Sequence, residues 1–251
     1  MRVTILNPEE SKKLFYWWGQ ASKICYDTKM DDPTPIGKHC MMSGHFSGSR
    51  SQYILFQVDD CPRFTIDQAV RHEDGVMKNV QSFRYVDKHS FAYEIPEEIK
   101  DNDYLLKRYH KHMIETINLY SDIQNYVLNK TGSNERANES ARYVLPMATH
   151  ASFVIGMDIE ALIHFCNMRL CVRTEDKHRE LARRIVLFPV IVLGLLSIPN
   201  LENRLVPNCQ AMLYCPEGKK GCGAYPTKKE LKEIIAKGKI ITTDKENVDH
   251  A

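Results

Sequence analysis

The 251-residue chain has almost no charge of one sign in excess: 34 lysines and arginines face 32 aspartates and glutamates, leaving a net charge of +2 at pH 7. A protein that holds long nucleic acid concentrates basic residues on one face. No such stripe is present, so an anion bound here is expected to be small and gripped by a few placed arginines. The chain also lacks an apolar run of roughly 20 residues, the length a bilayer core demands. Its most apolar stretch, Ile185 to Pro199, is interrupted by Pro189 and Gly194 and reads as a buried core helix. No secretory leader is expected, because Met1-Arg2-Val3-Thr4-Ile5-Leu6 runs directly into polar Asn7-Pro8-Glu9-Glu10. Eight cysteines in a chain of this length do not make a disulfide scaffold. Free thiols in a reducing cytoplasm are the expectation. There is no internal repeat and no low-complexity tract.

What is present is a 43% hydrophobic, 26% charged composition, enough for a sizeable core. Residues 9–27 are predicted to form a helix with Leu14, Trp17 or Trp18, Ala21 and Ile24 on one face. Asp31-Asp32-Pro33-Thr34-Pro35 is a loop, a helix starts near Ile36, and Ser43 to Ser49 breaks regular structure. Tyr53 to Val58 reads as a strand, Arg63 to Val70 as its antiparallel partner across an Asp59-Asp60-Cys61-Pro62 turn, and Ser90 to Ile95 as a third strand. From Tyr104 to Leu128 the pattern is helical, with Leu106, Tyr109, Met113, Ile117, Tyr120, Ile123 and Val127 spaced along one stripe. A short helix runs through Ala137 and Ala141 to Pro146. Asp158 caps a helix leading to Arg169, another spans Asp176 to Leu196, and Thr227-Lys228-Lys229-Glu230 has capping-box spacing. The sum is α+β: an antiparallel sheet with flanking long helices.

Chemistry concentrates between Gln68 and Tyr85, Q-A-V-R-H-E-D-G-V-M-K-N-V-Q-S-F-R-Y. Arginine offers a planar fork of donors for phosphate oxygens, and a serine hydroxyl with loop N–H groups completes a cradle. Composition alone fits a solvated polar loop equally well. Arg71-His72, then Asn79, Ser82, Arg84 and Tyr85, with Gln68 three residues ahead, resemble the R-H-R…N-E-x-S-x-R-Y signature of the flavin-dependent thymidylate synthases. Ala141 to Pro146 (A-R-Y-V-L-P) and Leu162 to Arg169 (L-I-H-F-C-N-M-R) resemble two further segments of that family in the right order, and His45-Phe46-Ser47 resembles the segment that precedes the signature. The resemblance covers roughly residues 40–190.

The resemblance implies a single catalytic domain over residues 1–251, with a short cysteine-containing C-terminal extension from about residue 200. It implies synthesis of dTMP from dUMP, with 5,10-methylenetetrahydrofolate as methylene donor, FAD as cofactor and NADPH as reductant. It further implies a homotetramer with active sites between subunits, acting without nucleic acid or membrane. Arg169 matches the arginine that polarises the uracil, the one catalytic assignment. Gln68, Arg71, Gln81, Ser82, Phe83, Arg84 and Arg142 join it as dUMP-binding positions. Ser47, Arg71, His72, Glu73, Asp158, Ile159, Glu160 and His164 fall in the flavin-contact region, and His45 lies near folate and flavin. Departures cluster on the flavin side. Glu73 replaces the third residue of R-H-R, and one extra residue stands before Asn79, absorbed at Gly75. Val80 replaces a glutamate, Asp158, Glu160 and His164 stand where Asn and Arg are usual, and Arg173 replaces a histidine. Flavin is therefore expected to be kept but held differently. A pyrimidine-nucleotide hydroxymethylase of the same family and a non-catalytic nucleotide-binding homologue are the alternatives. Outside the family context, Arg142 and Arg169 read as helix-end arginines paired with Glu139 or Glu175, and His164 as a core histidine. Cys209, Cys215 and Cys222, spaced C-x5-C-x6-C, are short of the four ligands structural zinc requires, and no metal is assigned.

Overall fold

A computed structural model describes residues 1–25, 27–192, 201 and 203–237. In chain order these form β1 (Arg2–Ile5), α1 (Pro8–Lys12), α2 (Leu14–Cys25), α3 (Thr34–Met42), β2 (Ile54–Pro62), α4 (Arg63–Ala69), β3 (Val76–Val80), α5 (Asp103–Thr131), α6 (Asn134–Ala141), β4 (His150–Met157), α7 (Ile159–Arg169), α8 (Asp176–Val192), α9 (Asn208–Met212) and α10 (Lys228–Ala236). The strands make one antiparallel sheet in the order β1-β2-β4-β3. The fold is α+β, as the patterning predicts. The ends of the apolar run and of the Asp176–Leu196 helix, residues 193–199, lie outside the described residues, as do residues 238–251 of the C-terminal extension.

Contacts divide the chain into two units. The first holds residues 57–71 and 78–155 with the first two residues, and its centre is α5. Asn102 caps this helix by accepting the Leu105 N–H at 3.1 Å, and Gly132, at φ +65°, ends it in the left-handed conformation. The predicted stripe faces inward: Met113 and Tyr120 are buried, and Tyr109 donates its hydroxyl proton to the Glu94 carbonyl at 2.8 Å. Two expected strands here are corrected. Residues 63–69 are α4, entered through Pro62 at φ −66°, with Thr65, Ile66 and Ala69 buried at helical spacing. No turn occupies 59–62, because β2 runs on to Pro62. Its alternation breaks at Asp60, whose φ is +54°. Of residues 90–95 only Tyr93 pairs, in an isolated antiparallel bridge to Thr149.

The second unit holds residues 3–56, 72–77 and those from Gly156 onward. The predicted 9–27 helix is two helices broken at Lys13. Its buried face is Leu14, Phe15, Trp18 and Ser22, while Trp17, Ala21 and Ile24 are exposed. Register explains the difference: only the Trp18 face meets α3 and the Phe46 ring, whose centroid is 5.6 Å from that of Trp18. α2 and α3 approach backbone to backbone. A Cβ on Gly37 would lie 2.1 Å from the Phe15 carbonyl oxygen, and one on Gly19 would lie 1.9 Å from that of Pro33. Thr227 and Glu230 form the expected capping box on α10, and Asp158 the expected cap on α7.

Because the atom that a Gly37 side chain would strike is backbone, relief requires the two helices to separate. Gly37→Ala is expected to destabilise the protein by about 1–3 kcal/mol, read as a lower urea midpoint with unchanged slope.

Candidate functional site

The expected site residues fall into two groups, one in each unit. In the first unit a cleft of about 350 Å³ is lined by Arg63, Val80, Gln81, Ser82, Phe83, Arg142, Leu145, Pro146 and Met147. Ser82 opens a tight turn: its carbonyl accepts from Tyr85 and Val86 N–H groups, and its hydroxyl oxygen accepts the Arg84 N–H at 3.3 Å. The hydroxyl therefore shapes a binding loop.

Two glutamates one helical turn apart on α6 organise the arginines. Arg84 pairs with Glu135 and, at 3.5 Å, with Glu139, and Glu139 also reaches Arg142 at 3.8 Å. These groups are about 40% exposed, so each pair is weak and exchangeable. Carboxylates keep two guanidiniums close despite their repulsion, and an incoming phosphate can take over that role. The helix-end pairing of Arg142 with Glu139 thus coexists with its place in the cleft. Gln68, half-buried near the end of α4, and exposed Arg71 belong to the same unit but are not among the residues lining the cleft.

Sequence patterning missed two cleft-organising cations. Arg63 lines the cleft from the start of α4 and lies 5.7 Å from the Phe83 ring centroid. Lys88 lies 5.0 Å from the same centroid and donates to the Gln81 side-chain oxygen at 2.9 Å and the His150 carbonyl at 3.1 Å. Burial lowers its pKa below the usual lysine range. An ammonium only donates, so the Gln81 oxygen must face Lys88, leaving the Gln81 NH2 as a donor toward a ligand acceptor. No motif marks Lys88. Arg63 was hidden by the mistaken strand.

In the second unit the centre is α7. Asp158 is 1% exposed, and its Oδ1 accepts the Ala161 N–H at 2.8 Å. Its Oδ2 has only the Arg50 guanidinium, at 4.0 Å. Gly75, at φ +66°, lies against this carboxylate, and a Cβ there would be 2.3 Å from Oδ2. Only glycine fits both this backbone and this neighbour. At the other end of α7, Arg169 donates its Nε–H to His72 Nε2 at 2.9 Å. That bond joins the signature to the far segment. His72 packs edge-on against Phe165, centroids 5.0 Å apart, and stands 6.0 Å from His164.

The remaining expected residues of this unit differ in what they present. Ser47, Glu73, Glu160 and His164 are exposed, so His164 is no core histidine. Ile159 is fully buried and offers a ligand only its backbone. His45 is exposed beside a cavity of about 460 Å³ lined with Pro35, Ile36, His39 and Cys40. The buried histidine is His178 on α8, which the sequence did not single out. Burial first, then the charge of Arg169 and the His72 ring, push its pKa down to about 3.

Residues 12–188 match the family model Thy1, thymidylate synthase complementing protein. A flavin-dependent thymidylate synthase from Nitratidesulfovibrio vulgaris is 32% identical over 192 residues, which are 75% of each chain. One from Pyrococcus abyssi is 31% identical over 237 residues, 86% of this chain and 90% of the relative. Among solved structures, flavin dependent thymidylate synthase ThyX from Helicobacter pylori, complexed with FAD and dUMP, aligns with TM-score 0.52 at 18% identity, covering 79% of this chain and 97% of that one. The UMP/dUMP methylase PolB from Streptomyces cacaoi, bound with 5-Br dUMP, aligns with TM-score 0.52 at 18% identity, covering 78% and 95%. At that identity the two structures speak to the fold.

His178 gives the site a pH signature. Its folded pKa lies below the unfolded value of about 6.5, so the unfolded chain takes up a proton first as pH falls. Its contribution is complete above that pKa and is lost as pH falls toward about 3. Between pH 7 and pH 5 the loss is about 2 kcal/mol, measurable by urea unfolding and expected to vanish in His178→Phe.

Proposed function

The chain belongs to the flavin-dependent thymidylate synthase family, and from that premise we propose that it converts dUMP to dTMP with 5,10-methylenetetrahydrofolate, FAD and NADPH. The observation that carries the reading is the Arg169–His72 bond, which sets the guanidinium matched to uracil polarisation at a fixed place on the end of α7. His72 accepts at Nε2, so its proton is on Nδ1 and the ring is neutral. At the pyrimidine the fixed positive charge of Arg169 would stabilise negative charge developing on the ring and make C5 nucleophilic. No covalent protein nucleophile is required.

Gln81, Ser82, Phe83 and Arg142 bind dUMP, with Arg84 and Arg142 toward the phosphate. Gln68 and Arg71 complete that set by family correspondence. Flavin, once bound and reduced by NADPH, would supply the hydride that completes the methyl group. Ser47, His72 and His164 are the residues that would hold it, with the backbone at the start of α7. Asp158 and Glu160 supply the wrong charge for a pyrophosphate, but Arg50, exposed and 4.0 Å from Asp158, supplies the right one and makes the residue set compatible. His45 lies toward folate and flavin. A homotetramer is in keeping with the exposed Tyr104, Leu105, Ile114, Leu119 and Tyr126 along α5.

Tritium release from 5-labelled dUMP tests the reaction, and product mass separates a methyl from a hydroxymethyl product. Arg169→Ala is expected to lower turnover by about 10²–10³-fold while dUMP still binds in calorimetry; full turnover in that variant would remove Arg169 from its role. Lys88 acts through Gln81 and Phe83. Lys88→Met should raise the KM for dUMP about tenfold with kcat little changed, and Lys88→Arg should restore it.

A further inference from the structure

Beyond the nucleotide chemistry, the second unit gathers four cysteines from separate segments. Cys171 follows Arg169 by two residues. Just before it, Asn167 donates its side-chain N–H groups to the carbonyls of Arg204 at 2.8 Å and Val206 at 2.7 Å. Those bonds bring the chain ahead of α9, and with it Cys209, onto the last turn of α7. Beyond Cys171, Arg173 pairs with Glu217 at 2.8 Å, tying that loop to the one after Cys215. Cys215 donates its N–H to the Pro226 carbonyl at 2.8 Å and bridges to Thr227, closing a loop that carries Cys222. Within this loop the Gly221 backbone lies so near Cys215 that a Cβ would be 2.7 Å from its Sγ. None of the four is in a disulfide.

We propose that Cys171, Cys209, Cys215 and Cys222 bind one Zn²⁺ as a structural site. Three cysteines of the C-terminal segment are one ligand short of a tetrahedral cage, and Cys171 is the fourth. Four sulfur ligands select zinc over harder divalent cations. Each thiol gives up its proton to solvent on coordination, leaving a site of net charge −2, with basic Lys219 and Lys220 in the same loop to moderate it. Among the described residues no three His, Cys, Asp or Glu side chains stand as a group that could hold a metal ion, so the proposed site forms only if the ion draws the thiols together. The freedom for that lies at Cys222, exposed between Gly221 and Gly223, the latter at φ +88°. The site would staple the C-terminal segment to the end of α7 that presents Arg169.

Metal content of the full-length protein, purified without chelator after growth with zinc, tests this by elemental analysis. About one zinc per chain is expected, released by a mercurial into a colorimetric chelator. Cobalt exchanged into the protein should give the thiolate charge-transfer absorption of a sulfur-ligated tetrahedral site. Cys171→Ser and Cys222→Ser should each lower zinc occupancy at least tenfold, whereas Cys25→Ser should leave it unchanged. Since a serine variant can fail to fold, the wild-type cobalt spectrum stands as an independent readout. No zinc in the wild type, zinc retained in both variants, a cobalt spectrum without thiolate bands, or a disulfide between any two of the four would overturn the proposal.

Discussion

The Asp158 carboxylate is the constraint on which the second unit depends. One oxygen caps α7, the other stands beside Gly75 and faces Arg50 across 4.0 Å. A carboxylate removed from water is costly unless donors and positive charge surround it. Here the N-terminal end of the helix dipole and one arginine provide both. Since α7 is a rigid rod, fixing its first turn fixes its last, where Arg169 meets His72. Gly75 therefore matters at a distance: any side chain there would push the carboxylate from its cap and with it the start of the helix.

The two groups of site residues solve the problem of holding arginine in different ways. On the first unit, Arg84 and Arg142 share glutamates on α6 in exposed, individually weak pairs. Such pairs hold side chains in the right region while remaining exchangeable when a phosphate arrives. On the second unit Arg169 donates to a neutral imidazole, that of His72. The first arrangement favours capture of an anion, the second favours a charge that keeps its place.

What could be read from the sequence follows the range of the interaction responsible. Caps at Asp158 and Thr227 are local events within three residues, and both are visible in the order of side chains. The β-branched Thr65, Ile66 and Val70 read as a strand, whereas Thr65, Ile66 and Ala69 form the buried face of a helix. β1, β3 and β4 are short or continuously apolar, so their pairing rests on partners far along the chain. The choice of Trp18 over Trp17 likewise needed the partner helix to be known. The family motifs made Ser82, Arg142 and Arg169 legible. Lys88, Arg50 and His178 were not, because each acts by approaching a group remote in sequence from an unmarked position.

Neutral histidines around Arg169 have a physical reason. Burial first, then the Arg169 guanidinium, push the His178 pKa down, and the hydrogen bond from Arg169 falls on an unprotonated Nε2 of His72. A neutral acceptor neither neutralises nor repels the guanidinium it orients. A carboxylate at the place of His72 would pin the arginine as firmly but cancel most of that field. The imidazole at Nε orients without cancelling. Polarising a pyrimidine without a covalent nucleophile makes the same two demands, fixed position and undiminished charge, and in the second unit one residue, His72, serves both.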